Sequence, residues 1–254
     1  FIRRALHEPV PTVNNNLAWS MRKMMDCQFS RYVRGDGEDK LTKDELANLS
    51  KALDGCFMFA FVWSVCCTVD KFGRKALDEF VRRECASNGF RYPFPAEGTI
   101  YDYVWDVDNA KWVDWLTTVD PYQHNPKLSF SELIIPTTDT IKYTHVMHTL
   151  IKHEMHVLVC GPTGTGKSVN INTYLQKMEK MYVPIAFTFS AQTSENQTQD
   201  IIDGKCEKRR KGVFGPMAGK KFVVFVDDVN MPQREIFGAQ PPIELLRQLL
   251  CASG

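Results

Sequence analysis

The sequence predicts an α/β architecture, a parallel sheet with helices on both faces, preceded by a small all-helical unit. Three observations predict it. Residues 14–86 carry helical periodicity and almost no strand signals, residues from about 134 onward alternate short apolar runs with helical patterns, and a stretch rich in proline, aromatics and acids separates the two. The expected division is therefore a helical unit over 1–90, a connector with an aromatic-rich hairpin over 91–133, and a sheet-containing unit over 134–254. Domains usually run about 100 to 200 residues, so two modest cores suit a chain of 254.

In the first part, Leu17, Met21, Met24, Met25 and Phe29 repeat at helix spacing. GDGEDKL is a turn, and Thr42 with Glu45 forms a capping box ahead of Leu46, Leu49 and Leu53. The uncharged run Gly55 to Val69 is bounded by Asp54 and Asp70. It falls short of the roughly 20 residues that span a bilayer and reads as a buried core helix, so no membrane is expected as a partner. A further helix from about Arg74 to Cys85 ends at Asn88-Gly89. From Arg91 to Pro136 a short hairpin or an extended connector fits better than a helix. Tyr101, Tyr103 and Trp105 have period two, which packs one face against a neighbour. Beyond it, Val157–Cys160, Val183–Ser190 and Phe222–Val226 read as strands and Lys167–Lys180 as a helix.

Composition narrows the function classes. Lys plus Arg is 31 against Asp plus Glu 30, so no global field favours DNA, RNA or an anionic membrane. The eight cysteines form no CxxC pair, which argues against a zinc ribbon or a disulfide framework and suits a reducing compartment. FIRRALHEPV has Arg3 and Arg4 but no apolar block behind them, and the lack of an initiator Met suggests a piece of something longer.

The chemistry concentrates in two places. Gly161-Pro162-Thr163-Gly164-Thr165-Gly166-Lys167-Ser168 matches GxxxxGK[ST] between an expected strand and an expected helix, the context of a phosphate-binding P-loop. A polyphosphate needs several donors converging on a concave nest. Glycines let the backbone approach, Lys167 reaches the terminal phosphates, the Ser168 hydroxyl can hold magnesium, and the following helix adds its positive end. About 60 residues on, FVVFVDD is an apolar strand ending in acid. Asp227 there would bind magnesium and Asp228 would orient or deprotonate an attacking water. Glutamate is usual at the second acidic position of such ATPases, and a carboxylate one methylene shorter predicts slow or conditional hydrolysis.

With these motifs, GPTGTGKS and KKFVVFVDDVNMPQREIFGAQPPIELLRQLL resemble the third AAA+ module of an axonemal dynein heavy chain. FVWSVCCTVDKFGRKALDEFVRREC is similar to the end of the second module's small helical subdomain, and IIPTTDTIKYTHVMHTLIKHEMHVLVCGPTG to the entry into the third, so the resemblance covers essentially the whole chain. It implies a partial AAA+ large subdomain behind a helical small subdomain. It also implies an ATP or ADP site with Mg2+, in which Gly161 to Val169 would touch the nucleotide and Ile135, Pro136 and Thr137 would line the adenine pocket. An Asp-Asp pair is typical of axonemal forms.

The resemblance further implies a microtubule minus-end-directed motor in which this module's nucleotide is a gate, or, alternatively, a structural junction holding ADP permanently. Implied partners are the other AAA+ modules of the same chain, dynein intermediate and light chains, and microtubules, in the cytoplasm, the cytoskeleton and the axoneme of a cilium or flagellum. In the family's strand order, 5-1-4-3-2, the fourth strand would lie between those ending at Cys160 and Asp228, and it is expected to be missing here.

Other clusters carry less. His145, His148, His153 and His156 lack HExxH spacing and are expected to be solvated helix residues rather than zinc ligands. Lys208 to Lys211 is expected to be a solvated face or a contact with a neighbouring module, with no nucleic acid implied. Asp36-Gly-Glu-Asp-Lys-Leu lacks an EF-hand loop's central glycine and final glutamate.

Overall fold

A computed structural model describes residues 1–33, 41–119 and 135–252, and these divide into two compact units, Phe1–Thr165 and Gly166–Gly254. The expected GDGEDKL turn lies outside the described residues apart from Leu41, as do residues 120–134 at the end of the connector.

In the first unit α1 (Ile2–Ala5), α2 (Asn14–Phe29), α3 (Lys43–Ser64) and α4 (Gly73–Ser87) precede a hairpin of β1 (Tyr103–Asp106) and β2 (Lys111–Asp114), and α5 (Thr138–Lys152) closes the set. Helix α3 starts where the capping box predicts. The Glu45 amide donates to Thr42 Oγ1 at 3.2 Å and the Thr42 amide to Glu45 Oε2 at 2.8 Å. Its C-terminal half is the apolar run, with Cys56, Phe59, Ala60 and Val62 buried, while Leu46 and Leu53 near its start stay exposed. The run is thus a core helix, and α4 ends at Asn88 with Gly89 left-handed at φ 63°.

The aromatic stripe does pack inward: Tyr101, Tyr103 and Trp105 are all buried. Trp105 lies so close to α3 that a Cβ added to Gly55 would sit 2.0 Å from its ring. Trp115, fully buried, meets Phe59 and Trp63, and its Nε1 donates to the Tyr101 carbonyl at 3.1 Å. This core therefore includes a β-hairpin as well as helices, and α5 packs on it through Ile141, Val146 and Leu150. The division of the packing falls at Thr165/Gly166.

The second unit holds α6 (Lys167–Gln176), β3 (Tyr182–Thr188), α7 (Glu195–Asp203), a hairpin of β4 (Glu207–Arg210) and β5 (Val213–Gly215), β6 (Lys221–Asp227) and α8 (Pro241–Ala252). Strands β3 and β6 pair in parallel from Tyr182↔Lys221 to Thr188↔Asp227, which puts Asp227 level with the last residue of β3. Helix α6 is shorter than expected, ending at Gln176 rather than Lys180.

One expected strand is not formed. Residues 157–160 carry no regular secondary structure and belong to none of the three two-stranded sheets, and Val157, Leu158 and Val159 are exposed. A strand is defined by a neighbour in a sheet ladder, and among the described residues no sheet includes this segment.

Candidate functional site

Each site residue inherits its place from local backbone. The loop between residue 160 and α6 turns through Gly164 at φ 80° and Gly166 at φ 77°, conformations that a residue with a Cβ adopts at a cost. No atom lies within 4 Å of a Cβ built on either glycine, so within the chain both are required by conformation rather than by crowding. Thr165 Oγ1 donates to the Pro162 carbonyl at 2.9 Å, tightening the turn from inside.

Gly166 is the N-cap of α6 and has no side chain to cap it, and the first turn contains no acid. Lys167 and Ser168 are the first two helical residues, Val169 the third and exposed. Gly166 thus places no side chain over the positive end of this ten-residue helix, an opening that suits an anion.

At the end of β6 the Asp227 main chain accepts from the Phe189 amide at 2.9 Å, and its carboxylate Oδ1 accepts from the Asp228 amide at 3.0 Å. Asp228 itself is exposed and left-handed, at φ 51°. Aspartate tolerates that region better than most residues. The Asp228 carbonyl accepts from the Met231 amide at 2.9 Å, so the second acid sits in a closed turn rather than on the strand.

Gly166, Lys167, Ser168, Val169, Asp227 and Asp228 all belong to the second unit, whereas Gly161 to Thr165 and Ile135 to Thr137 belong to the first. Ile135, Pro136 and Thr137 are exposed. Thr137 is the N-cap of α5: the Thr140 amide donates to its Oγ1 at 3.3 Å, and its own amide donates to Thr140 Oγ1 at 2.8 Å.

Two arrangements were not read from the sequence. The first is what fixes α5: Lys142, buried, donates from Nζ to Asp102 Oδ1 at 2.6 Å, and Asp102 also accepts from the Thr99 amide and hydroxyl. Burial alone would raise the Asp102 carboxyl, but the Lys142 and Thr99 bonds hold it below the ordinary carboxylate value. No residue pattern flags a pair 40 positions apart. The second is Gln240, whose Nε2 donates to the Pro232 carbonyl at 2.6 Å and braces the segment after Asp228.

The histidines are largely solvated, as expected: His145, His148 and His156 are exposed and His153 is half-buried. His145 meets the rings of Phe59 at 6.2 Å and Trp115 at 5.1 Å, and loss of hydration, with His148 nearby, lowers its pKa. His153 Nδ1 lies 2.7 Å from the Thr149 carbonyl and Nε2 2.8 Å from the Ser30 hydroxyl. These two serve packing and helix ending. No group of three metal-binding side chains occurs among the described residues. The basic run forms the fully exposed β4, with Arg209 donating to the Pro216 and Met217 carbonyls.

An uncapped helix behind a left-handed glycine, with an acid-ended parallel strand in the same unit, defines a partial α/β P-loop domain. Comparison with known proteins agrees. Residues 122–254 match the family model described as the P-loop containing dynein motor region, and residues 1–117 match the dynein heavy chain AAA lid domain. The chain belongs to the dynein heavy chain family. It is 36% identical to human dynein axonemal heavy chain 1 over all of its length, 39% identical to human dynein axonemal heavy chain 3 over 94% of it, and 44% identical to rat dynein axonemal heavy chain 12 over 76%. It spans only 6 to 7% of the length of those relatives.

Proposed function

We propose that this segment is the nucleotide-binding, regulatory element of an axonemal dynein motor. It covers the end of the second AAA+ module and the start of the third, and it takes ATP or ADP with Mg2+ and turns over slowly or conditionally. The observation that carries this reading is the uncapped start of α6 behind left-handed Gly166, with Lys167 and Ser168 as its first residues. Gly161 to Gly166 and the α6 amides would hold the phosphates, Lys167 would meet their terminal charge, and Ser168 and Asp227 would hold Mg2+. The bound metal supplies charge neutralisation at the phosphates. Asp228 orients water or accepts its proton, from a side chain one methylene shorter than glutamate and a backbone turned left-handed. Ile135 to Thr137 would form the adenine rim.

In the whole heavy chain the partners would be its other AAA+ modules, intermediate and light chains, and microtubules, in the axoneme of a cilium or flagellum. Nucleotide can gate such a ring only by binding two arrangements of it with different affinity.

Lys167→Ala in the heavy chain, with the other nucleotide sites disabled, is expected to weaken triphosphate binding by about a hundredfold, the loss of charge-assisted bonds worth ~3 kcal/mol. Unchanged affinity for a fluorescent triphosphate analogue would refute the site. Asp228→Glu advances the carboxylate, and single-site turnover is expected to rise by up to about a hundredfold. Equal or lower turnover would remove Asp228 as the cause of slow hydrolysis.

One observation favours a second reading, a junction that holds ADP permanently. Helix α5, in the segment matching the P-loop region, packs on the core of the segment matching the lid. Nucleotide exchange on the intact ring separates the two, since a permanent filler would not exchange over many motor cycles.

A further inference from the structure

The segment between Asp228 and α8 carries a feature that nucleotide chemistry does not use. Ile236 and Phe237 are each 97% exposed, the most exposed large apolar side chains among the described residues. They occupy the two central positions of a closed turn. The Gly238 amide donates to the Glu235 carbonyl at 2.8 Å, the Glu235 amide donates to the Ala239 carbonyl at 2.8 Å, and Gly238 is left-handed at φ 82°. The base is fixed as well: the Gln233 amide donates to the Ala191 carbonyl at 3.2 Å, Pro232 is buried, and Gln240 holds the Pro232 carbonyl.

An apolar pair on a slack loop would fold back onto the surface, but these bonds hold Ile236 and Phe237 out in water. Two such side chains in water are an apolar surface that burial would favour covering.

We infer that the Ile236-Phe237 turn is a rigid docking knob that seats in an apolar pocket of the same heavy chain, outside residues 1–254. The flanking Arg234 and Glu235, both exposed, cancel in charge, so recognition of the pocket is by shape and apolar surface. Size selects the occupant. Two side chains offer on the order of 350 Å2, well below the roughly 800 Å2 per partner of a stable complex between separate proteins. A contact that small holds when both halves are tethered in one chain, where effective concentrations reach about the millimolar range. The heavy chains of this family are long enough to supply it, since this segment matches only 6% of one of them. The inference rests on the family and on the turn, and stands whether or not nucleotide binds at Lys167.

The test places the photo-reactive residue p-benzoylphenylalanine at position 237, or separately at 236, in the full-length heavy chain, with the same probe at exposed Lys211 as control. Illumination is expected to give a cross-link within a single heavy chain, to the same peptide from both positions. That peptide would lie outside residues 1–254, with a yield about tenfold above the control, the factor that corresponds to 1.4 kcal/mol of seating preference. Attachment to a second heavy chain or to a separate polypeptide, attachment within 1–254, or a yield equal to that at Lys211 would each overturn the inference.

Discussion

The two units solve the problem of holding a shape in different ways, and two glycines show it. In the first unit Gly55 is required because the Trp105 indole fills the space where its Cβ would be. In the second, Gly164 and Gly166 have open space around them, and within the chain it is their left-handed backbone that calls for glycine. The first unit is organised by interdigitated side chains around Trp115, Phe59 and Trp63. Among the described residues of the second, the buried apolar side chains apart from prolines are Tyr174, Leu175, Ile185 and Phe189, and the sheet has two strands. Packing density makes the first region stiff, whereas backbone conformation and hydrogen bonds shape the second.

Substitutions in the heavy chain can break or sharpen this contrast. The largest effect is expected from Gly55→Ala, where a methyl group must displace the Trp105 ring from α3, at a cost of about 3 kcal/mol. Limited proteolysis should cleave residues 41–119 faster, and an unchanged rate would mean that the first core is loosely packed after all.

Next comes Lys142→Met, which leaves the partly buried Asp102 carboxylate without its cation and should cost about 1 to 3 kcal/mol. Its pH dependence has a definite sign. The Asp102 pKa is lowered in the folded chain, so the contribution is present above the unfolded carboxylate value and is lost as pH falls through the folded one. The stability gap between variant and parent, followed by chemical denaturation, should therefore stay constant from about pH 8 to pH 5, well above the ordinary aspartate pKa of about 3.9. A gap that closes near neutral pH would assign the effect to another group.

The smallest effect is expected from Gly166→Ala, about 1 kcal/mol of local backbone strain with no packing loss. Hydrogen exchange should quicken at the start of α6 and stay unchanged in the first unit.

How legible these features are in the sequence follows from how local they are. Capping boxes, the apolar run of α3, the period-two aromatic stripe and the GxxxxGK[ST] loop depend on neighbours within a few residues, and all are visible in the bare chain. The candidate residues Gly161 to Ser168, Asp227 and Asp228 are legible for the same reason, since they lie in short motifs, whereas Ile135 to Thr137 rest on the family resemblance alone. The left-handed backbone of Asp228 was not, because an Asp-Asp pair reads alike in extended and turned conformations. The Lys142–Asp102 pair and the edge contacts of exposed His145 with the Phe59 and Trp115 rings depend on tertiary placement, which periodicity does not encode. The segment 157–160 has the composition of a strand, yet composition does not supply the partner that makes one.

Helix α5 lies on the far side of the boundary that sequence families draw, yet its His145, Ile141 and Val146 cover the aromatic cluster of the lid. A recombinant lid cut at residue 117 would therefore lose its roof, presenting indole and phenyl surface to solvent and inviting self-association. Retaining the chain through Lys152 would give a soluble version with its own ceiling intact.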